Sequence, residues 1–415
     1  MADELRRQDW TFRLGSLLSS PGDEGGASTP ALAGKCIRRH TGAVNAQRSA
    51  ILVTSLPGQL TCAELARQAA NDERPRKDYV ELAGRLNADV IDSHWMSKRA
   101  YPVARVVSAR LGMPAGQVLE GFLRRRRYCH VLAWADRLGL PLALLLKLSR
   151  SQRDLALVSV WLSRGKKAVF VRRFRVHTHI SAIIGQTAQA EIAVSRLGVP
   201  ASKLYAEPWP VDDRFWRPNT SPAPGLIAAA GWEARDYPTL LRAVRGLDAE
   251  LEMAVGSVAL PEMVGEGGDV DRAIADIGAD GLPSNARAAE RTPRQLRDLY
   301  GRCRIVVVPL QDVEFDAGVT AVTEAMAMGK PVIASRTRGL ADLFVHGEQG
   351  LYVPPRDPRA LREAIEHLLQ SPAEGERMGR AGRALIERRH RLDPCLDRLA
   401  SIVRGEAAPR VTEGK

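Results

Sequence analysis

Two carboxylates flank the start of a short helical segment late in the chain. Residues 312–335 read DVEFDAGVTAVTEAMAMGKPVIAS, a pattern that predicts a loop, a short helix and a buried strand. Asp316 precedes the predicted helix, and Glu324 follows inside it. Carboxylate oxygens accept hydrogen bonds from hydroxyls, and one carboxylate can accept from two neighbouring hydroxyls. These two residues are therefore suited to holding the hydroxyls of a sugar or a ribose.

The backbone between these carboxylates is suited to an anion. Gly318 lacks a Cβ atom, so a ligand can approach the backbone closely next to Ala317. The N–H groups of Gly318, Val319 and Thr320 are predicted to lie at a helix start, where the helix dipole favours negative charge. A phosphorylated sugar compound would use both features. The alternative is an ordinary strand–helix–strand unit in which Asp316 only caps the helix.

Strands and helices are predicted to alternate along the chain. Apolar runs that favour buried strands lie at residues 50–55, 88–92, 130–134, 155–160, 182–185, 226–230, 251–255 and 305–309. Helical patterns follow several of them, including residues 138–148, 189–197, 237–247, 292–300 and 358–369. This alternation predicts an α/β protein with doubly wound parallel sheets.

The chain is long enough for two domains. With 415 residues it exceeds one typical hydrophobic core. The predicted units are an N-terminal extension without an apolar pattern (1–49), an N-terminal domain (50–207), a proline-bounded linker (208–218), a C-terminal domain (219–377), C-terminal helices (378–404) and a flexible tail (405–415).

The amino-acid composition indicates which classes of binding partner to expect. The formal net charge of +12 favours anionic partners, among which nucleoside diphosphates and lipid headgroups are the candidates. Only 5% of the residues are aromatic, and no basic motif interleaved with aromatics is present, so a nucleic-acid partner is not expected. The longest apolar stretch, residues 138–148, is too short to span a bilayer. Five scattered cysteines without a Cys-x-x-Cys pair favour reduced thiols and a cytoplasmic location.

The segment around Glu324 resembles the nucleotide-sugar signature of glycosyltransferase family 4 and its relatives. The family pattern is two glutamates separated by seven residues, followed by Ala-Met-Ala-x-Gly-x-Pro-Val. Glu324 matches the second glutamate, and Asp316 stands at the first position. Residues 346–354 and 210–218 are also similar to family segments. The resemblance covers the C-terminal half well and the N-terminal half weakly. It implies the GT-B fold, in which two Rossmann-like domains with doubly wound parallel sheets face a cleft.

The resemblance implies roles for several residues of the C-terminal half. Glu324 would accept hydrogen bonds from the ribose, and Asp316, one methylene shorter than the usual glutamate, would contact the transferred sugar. The family's usual Gly-Arg-x4-Lys is replaced by Gly231, Trp232 and Arg235, of which Arg235 would bind the diphosphate. The cleft would also be lined by Ser257, and the base would lie against Asn285 and Ala286.

The N-terminal half offers fewer candidates. Asp136 follows a predicted strand and would either orient an acceptor hydroxyl or cap a helix. His177 and His179 lack an evident third ligand, so no metal site is predicted. The basic residues between Lys166 and Arg175 surround apolar ones. They would contact an anionic membrane, bind an acidic sugar or form a solvated face.

The resulting hypothesis is a retaining, metal-independent glycosyltransferase without a cofactor. It would move a hexose from a nucleoside diphosphate sugar to a hydroxyl acceptor, either free or lipid-linked. The alternatives are a non-catalytic binding protein with the same fold, and a relative with other chemistry such as a nucleotide-sugar epimerase or a pseudo-glycosyltransferase.

Overall fold

The computed structural model describes residues 48–54, 59–159, 162, 166–185, 193, 195–255 and 281–409. The predicted N-terminal extension before residue 48 and the candidate Ser257 lie outside these ranges. The predicted helix at residues 189–197 also lies mostly outside them.

The N-terminal domain is built on a sheet of six parallel strands. Its order is β2-β1-β3-β4-β5-β6, with β1 and β3 as neighbours. The strands are β1 (Ser49–Leu52), β2 (Ala88–Ile91), β3 (His130–Ala133), β4 (Asp154–Val158), β5 (Ala182–Gly185) and β6 (Leu204–Ala206). The described helices are α1 (Cys62–Ala70), α2 (Asp78–Leu86), α3 (Ser93–Lys98), α4 (Pro102–Leu111), α5 (Met113–Arg124), α6 (Asp136–Leu148) and α7 (Lys166–Arg172).

The C-terminal domain is built on a second sheet of six parallel strands. Its order is β12-β11-β10-β7-β8-β9. The strands are β7 (Leu226–Ala230), β8 (Glu250–Ala254), β9 (Ala286–Ala289), β10 (Ile305–Val308), β11 (Val332–Ser335) and β12 (Gly350–Val353). The described helices are α8 (Tyr237–Val244), α9 (Pro293–Arg302), α10 (Val319–Ala327), α11 (Pro358–Gln370), α12 (Pro372–Arg389) and α13 (Leu392–Val403).

Strand order fixes where each domain can bind a ligand. The C-terminal sheet has the dinucleotide-binding order, in which the first and fourth strands of the domain, β7 and β10, are neighbours. The connections that leave these two strands go to opposite sides of the sheet, and a crevice opens at their carboxyl ends. In the N-terminal domain the equivalent place lies between β1 and β3. The predicted fold class, two doubly wound parallel sheets, is confirmed.

Burial explains why these segments are strands. All four residues of β10 are fully buried, because helices cover both faces of the sheet. On one face β10 contributes Val306 and Val308 to a core with α10, and on the other it contributes Ile305 and Val307 to a core with α8 and α11.

The last helix of the chain packs on the N-terminal domain. Leu396 and Leu399 of α13 share a buried apolar cluster with Leu82 and Leu86 of α2. The last two helices are separated by His390 and Arg391, and Pro394 lies in the first turn of α13.

A network of ion pairs joins the linker, α13 and the N-terminal domain, and we call it the hinge network. It consists of Arg76, Arg85, Asp212 and Asp393. Arg76 donates to Asp212 at 2.8 Å and to both oxygens of Asp393 at 3.0 and 3.2 Å. Arg85 donates to Asp393 at 2.6 Å. Burial opposes ionisation of Asp393, but its hydrogen bonds and the positive charge of Arg76 outweigh this effect and lower its pKa.

The described residues were also compared with the requirements for a membrane-spanning helix and for disulfide bonds. Among the described helices, none is both long and apolar enough to cross a membrane. Four of the cysteines lie in the described residues, and all four are free thiols (Cys62, Cys129, Cys303 and Cys395).

Candidate functional site

The start of α10 has the geometry expected of a site that approaches a ligand closely. Gly318 is the N-cap and has a φ of 84°, which favours glycine. A Cβ atom there would lie 3.0 Å from Val308 Cγ1, so the turn packs directly on the end of β10. The N–H of Val319 donates to the Asp316 carbonyl at 3.3 Å. Of the three N–H groups predicted to bind an anion, the one on Val319 is therefore already used.

Asp316 is a buried carboxyl group without a polar partner on one of its oxygens. It is 9% exposed, and within the described residues Oδ1 has no hydrogen bond. Burial raises the pKa of Asp316 to about 6, and the negative charges of Glu233 and Asp136 add to the effect. Its side chain does not cap α10, because that helix has no side-chain cap. The alternative of a capping aspartate is therefore not supported by the contacts.

A glycine in a neighbouring loop lets the Asp316 loop take this position. A Cβ atom on Gly339 would lie 2.0 Å from the carbonyl oxygen of Phe315. Any larger residue at 339 would push the loop and move Asp316 with it.

Glu324 is a half-buried residue of α10, within electrostatic range of Lys77, Arg235 and Tyr300. Burial raises the pKa of Glu324 to about 8, against the opposing positive charges of Lys77 and Arg235. Lys77 is the N-cap of α2 and belongs to the N-terminal domain. The carboxyl group of Glu324 therefore lies at the cleft, within electrostatic range of both domains.

Arg235 is held by the loop that leaves β7. Its Nε–H donates to the Ala230 carbonyl, and an Nη1–H donates to the Glu233 carbonyl, both at 2.9 Å. The guanidinium lies over Gly231, where a Cβ atom would be 2.1 Å from it. A guanidinium has more N–H groups than these two contacts use. Arg235 is thus positioned beside the switch point of the sheet, with a positive charge close enough to act on Glu324.

The structure separates Asn285 and Ala286 from these residues. Ala286 is the first residue of β9, so both lie at the amino end of that strand, opposite the carboxyl ends that form the crevice. The amide of Asn285 donates to the carbonyls of Val244, Leu247 and Ala249. The predicted base contact therefore needs correction: the end of β9 that faces the crevice is at Ala289. Ser257 lies outside the described residues.

Asp136 is the candidate that the N-terminal domain brings to the cleft. It is the first residue of α6, it is 4% exposed, and its Oδ2 accepts from Lys167 Nζ at 2.8 Å. The N-cap is Ala135, so Asp136 does not cap the helix through its side chain. Its negative charge contributes to the raised pKa of Asp316, so the two carboxyl groups lie within electrostatic range of each other.

Metal binding is not indicated in the part of the chain that the structure describes. No group of three or more His, Cys, Asp or Glu residues there could hold a metal ion. His177 is buried and His179 is half-buried within one short turn, and burial lowers the pKa of both.

The structure also shows a pocket, and Asp316 is the lining residue that the sequence analysis had named as a candidate. The pocket lies between the carboxyl edge of the N-terminal sheet, the linker and the Asp316 loop. Its polar and aromatic lining residues are Asp78, Trp134, Ser159, Glu207, Trp209 and Asp316. Ser159 and Glu207 each follow a strand directly, and that position is the sequence signal that could have identified them.

Comparisons with known proteins show which family the C-terminal half resembles. Residues 234–385 match the family model of group 1 glycosyl transferases. Glycogen synthase of Mycobacterium tuberculosis is 28% identical over 232 residues, which cover 56% of this chain and 52% of that protein. The chain spans about half the length, or less, of the curated relatives that it matches first.

Solved structures show the same architecture. Sucrose-phosphate synthase from Thermosynechococcus elongatus has a TM-score of 0.64 at 16% identity, covering 86% of this chain and 98% of that one. HepE from Anabaena, in complex with UDP-glucose, has a TM-score of 0.61 at 15% identity, covering 86% of this chain and 99% of that one. At these identities the likeness shows the fold, and the GT-B prediction is confirmed.

Proposed function

We propose that this chain is a retaining glycosyltransferase that moves a hexose from a nucleoside diphosphate sugar to a hydroxyl acceptor. The observation that carries the proposal is the pair of carboxyl groups, Asp316 and Glu324, at the switch point of a sheet with dinucleotide-binding strand order. Both have raised pKa values, because burial deprives their charged forms of water. Hydroxyl donors from a ligand would replace that water.

The donor would bind along α10 and the loop after β7. Glu324 would accept hydrogen bonds from the two ribose hydroxyls, and Asp316 from the hydroxyls of the sugar. The diphosphate would lie at the start of α10, beside the backbone of Gly318 and Thr320, with Ala317 next to it. The base would extend toward the carboxyl ends of β8 and β9.

Catalysis would be largely electrostatic. Arg235 and the start of α10 would stabilise the negative charge that develops on the departing diphosphate. The acceptor hydroxyl would attack from the face that the diphosphate leaves, and its proton would pass to the departing phosphate oxygen. This route needs neither a protein nucleophile nor a metal ion, so neither is part of the proposal.

The test is a panel of UDP-, GDP- and ADP-sugars with the purified chain. We expect one base to raise the melting temperature, with slow release of the nucleoside diphosphate by hydrolysis. Glu324→Ala should abolish both signals, whereas Glu363→Ala on the exposed face of α11 should not. The absence of any shift or release with every donor would refute the proposal.

A second candidate function, a non-catalytic binding protein, is favoured by the contacts of Arg235. Two of its N–H groups are bound to backbone carbonyls, and Trp232 stands where an arginine was expected. Such a protein would give the thermal shift but no diphosphate release under any condition. Release of diphosphate with transfer to an acceptor separates the two functions, and identification of the product excludes an epimerase.

We also propose a cytoplasmic location with peripheral contact to anionic membranes. The support is the surface around α7, where Val169 and Phe174 are 49% and 42% exposed beside Arg173 and Arg175. The chain should sediment with phosphatidylglycerol vesicles but not with phosphatidylcholine vesicles, and Phe174→Ser should weaken this binding. Equal binding to both vesicles would contradict the electrostatic part of the proposal.

A further inference from the structure

A groove runs along the outer edge of the N-terminal sheet, and we call it the edge groove. β2 is the outermost strand of this sheet among the described residues, and it forms the floor of the groove. Helix α2 forms one wall, and α3 forms the other. The groove has a volume of about 460 Å³ and shares no lining residue with the pocket at the Asp316 loop. It is therefore a second cavity, separate from the cleft.

The two sheets of the molecule differ at this edge. In the C-terminal sheet a third strand, β9, lies outside β8, as in the dinucleotide-binding order. At the corresponding point of the N-terminal domain, between β2 and β3, the chain forms the helices α3, α4 and α5. In the part of the chain that the structure describes, no strand therefore covers the outer edge of β2.

Two residues of β2 direct their backbone polar groups into the groove. The carbonyls of Asn87 and Ile91 accept hydrogen bonds from N–H groups of the β1 segment. Because the backbone groups of successive residues in a strand point in opposite directions, those of Ala88 and Val90 point away from β1. Both residues line the groove. Such a strand edge is a template for pairing with another strand.

The wall formed by α2 is apolar and has room for a side chain. Val80 and Ala83 are half-buried there. A Cβ atom on Gly84 would have no described heavy atom within 4 Å beyond the backbone of its own helix. A ligand could therefore place an apolar side chain against this wall.

The wall formed by α3 is aromatic and positively charged. Trp95 is 9% exposed, and the exposed guanidinium of Arg99 lies over its ring, 5.4 Å from the centroid. The acidic residue of the lining, Asp89, bonds to Arg48 at 3.0 Å and to the Tyr128 hydroxyl at 2.9 Å, so its charge is compensated. The formal net charge of +12 also favours a negatively charged ligand. An acidic side chain on this side of the groove would pair with Arg99.

The shape of the edge groove favours one extended chain over a second copy of this protein. Ala88, Asp89 and Val90 are half-buried between the two flanking helices. Paired strands lie about 4.8 Å apart. A second copy would bring its own α2 and α3, and these helices would meet the same helices of the first copy before the two strands could pair. A single extended peptide carries no such helices.

We propose that the edge groove binds an extended peptide segment of a partner protein, in which apolar and acidic residues alternate, and that this segment adds a strand beside β2. Its backbone bonds to Ala88 and Val90. Its apolar side chains lie against Gly84, and its acidic side chains lie beside Arg99. In this mode of recognition the backbone bonds supply affinity, and the alternate side chains supply specificity. The site is independent of the proposed function, since it shares no described residue with the cleft.

The probe is the fluorescein-labelled peptide Glu-Val-Glu-Val-Glu-Val, and its binding to the full-length chain is followed by fluorescence anisotropy. Two comparison peptides carry N-methyl groups on the three valine nitrogens or on the three glutamate nitrogens. Only one of these sets can point at β2, so we expect saturable binding of the probe and a loss of about tenfold or more for one methylated peptide only. A probe that does not saturate, or two methylated peptides that bind equally, would overturn the proposal.

Gly84→Trp tests the position of the site. The indole would fill the space beside α2 and weaken binding of the probe about tenfold or more. The melting temperature should stay the same or rise, because glycine is unfavourable inside a helix. Gly84→Ala is the matched control, since a methyl group leaves the groove open. Unchanged binding by Gly84→Trp would refute the assignment to this groove.

A charge reversal tests the other wall. Arg99→Glu should weaken binding of the glutamate peptide about tenfold and strengthen binding of the same peptide with lysine in place of glutamate. Lys98→Glu, at the exposed neighbouring position, should change both affinities much less. The same small effect for both variants would contradict the role of Arg99. A dimer of the free chain that the probe dissociates would replace the partner peptide with a second copy, against the proposal.

Discussion

The hinge network and the cleft use the same kind of side chain in opposite ways. At the hinge, Asp212 and Asp393 are surrounded by arginine donors, and the pKa of Asp393 is lowered. In the cleft, Asp316 is buried and Glu324 is half-buried, both with little compensating charge, and their pKa values are raised to about 6 and about 8. The paired carboxylates of the hinge stabilise the free protein. The carboxyl groups of the cleft destabilise it, as is common for groups at ligand-binding sites.

The hinge network also holds one wall of the cleft in position. The hinge network fixes the linker and α13 against α2, and the residue just before α2 is Lys77, whose charge acts on Glu324. The position of the N-terminal wall of the cleft thus depends on the paired carboxylates of the hinge. Variants in the hinge network should change mainly the stability of the protein, and variants in the cleft should change mainly the binding of ligands.

The largest effect is expected when the hinge network loses its central cation. Arg76→Ala leaves Asp212, which is 5% exposed, without the guanidinium that bonds to it, and removes from Asp393 the Nη1 group that donates to both of its oxygens. Breaking a buried pair in this way costs about 3–5 kcal/mol. We expect chemical denaturation to show this loss in the free energy of unfolding. Arg359→Ala is the control, because its pair with Glu363 is exposed and should contribute less than about 1 kcal/mol.

The next effect concerns donor affinity. Glu324→Gln keeps the shape of the side chain but removes the charged acceptor, so binding of the nucleotide sugar should weaken about 100-fold. The free protein should not be destabilised at neutral pH, because the replaced carboxyl group is itself poorly solvated. Calorimetric titration with the donor measures the affinity, and Glu363→Gln is the matched control. A large loss of stability in Glu324→Gln would show that this residue belongs with the hinge carboxylates rather than the cleft carboxylates.

Asp316→Asn should have a smaller effect, confined to the sugar. We expect diphosphate release to slow about tenfold, while the affinity for the free nucleoside diphosphate is retained, because Asp316 is assigned to the sugar hydroxyls. Initial rates and titration with the diphosphate give the two quantities. Asp248→Asn, at an exposed position before β8, should leave both unchanged. Equal losses for the diphosphate and the nucleotide sugar would place Asp316 at the phosphates instead.

The sequence could group the C-terminal candidates into one site because most of them are close in the chain. Strand β10, Gly318 and Glu324 lie within one strand–helix unit, and local patterns determine such a unit. Arg235 was assigned from the resemblance, since it stands near the lysine position of the family's Gly-Arg-x4-Lys, in the loop after β7. The misplacement of Asn285 has a simple physical cause: the candidate was taken from the start of a strand, whereas the crevice forms at the ends of parallel strands.

The hinge network and the pocket between the domains were not predictable in the same way. Arg76 meets Asp212 and Asp393 across separations of 136 and 317 residues, and no local pattern indicates these pairs. The pocket likewise joins residues from two domains and the linker. A single sequence shows which side chains follow strands, but the packing of the two domains decides which of them meet.

The smallest predicted effect, the dependence of stability on pH, separates the two regions directly. The pKa of Glu324 is about 8 in the folded protein, against an ordinary value of 4.5, so between these values the folded state keeps a proton that the unfolded chain has lost. The contribution of Glu324 to stability must therefore fall as the pH rises from about 5 to about 8. For Asp393 the sign is opposite: its lowered pKa adds stability that is present above its ordinary value of 3.8 and is lost only in more acidic solution. Melting temperatures of the natural chain and of Glu324→Gln, measured from pH 5 to pH 8, should diverge in favour of the variant by the equivalent of about 1 kcal/mol. Because both proteins share every other titrating group, the difference between them reports Glu324 alone, and parallel curves would show that its carboxyl group is ionised in the free cleft at neutral pH.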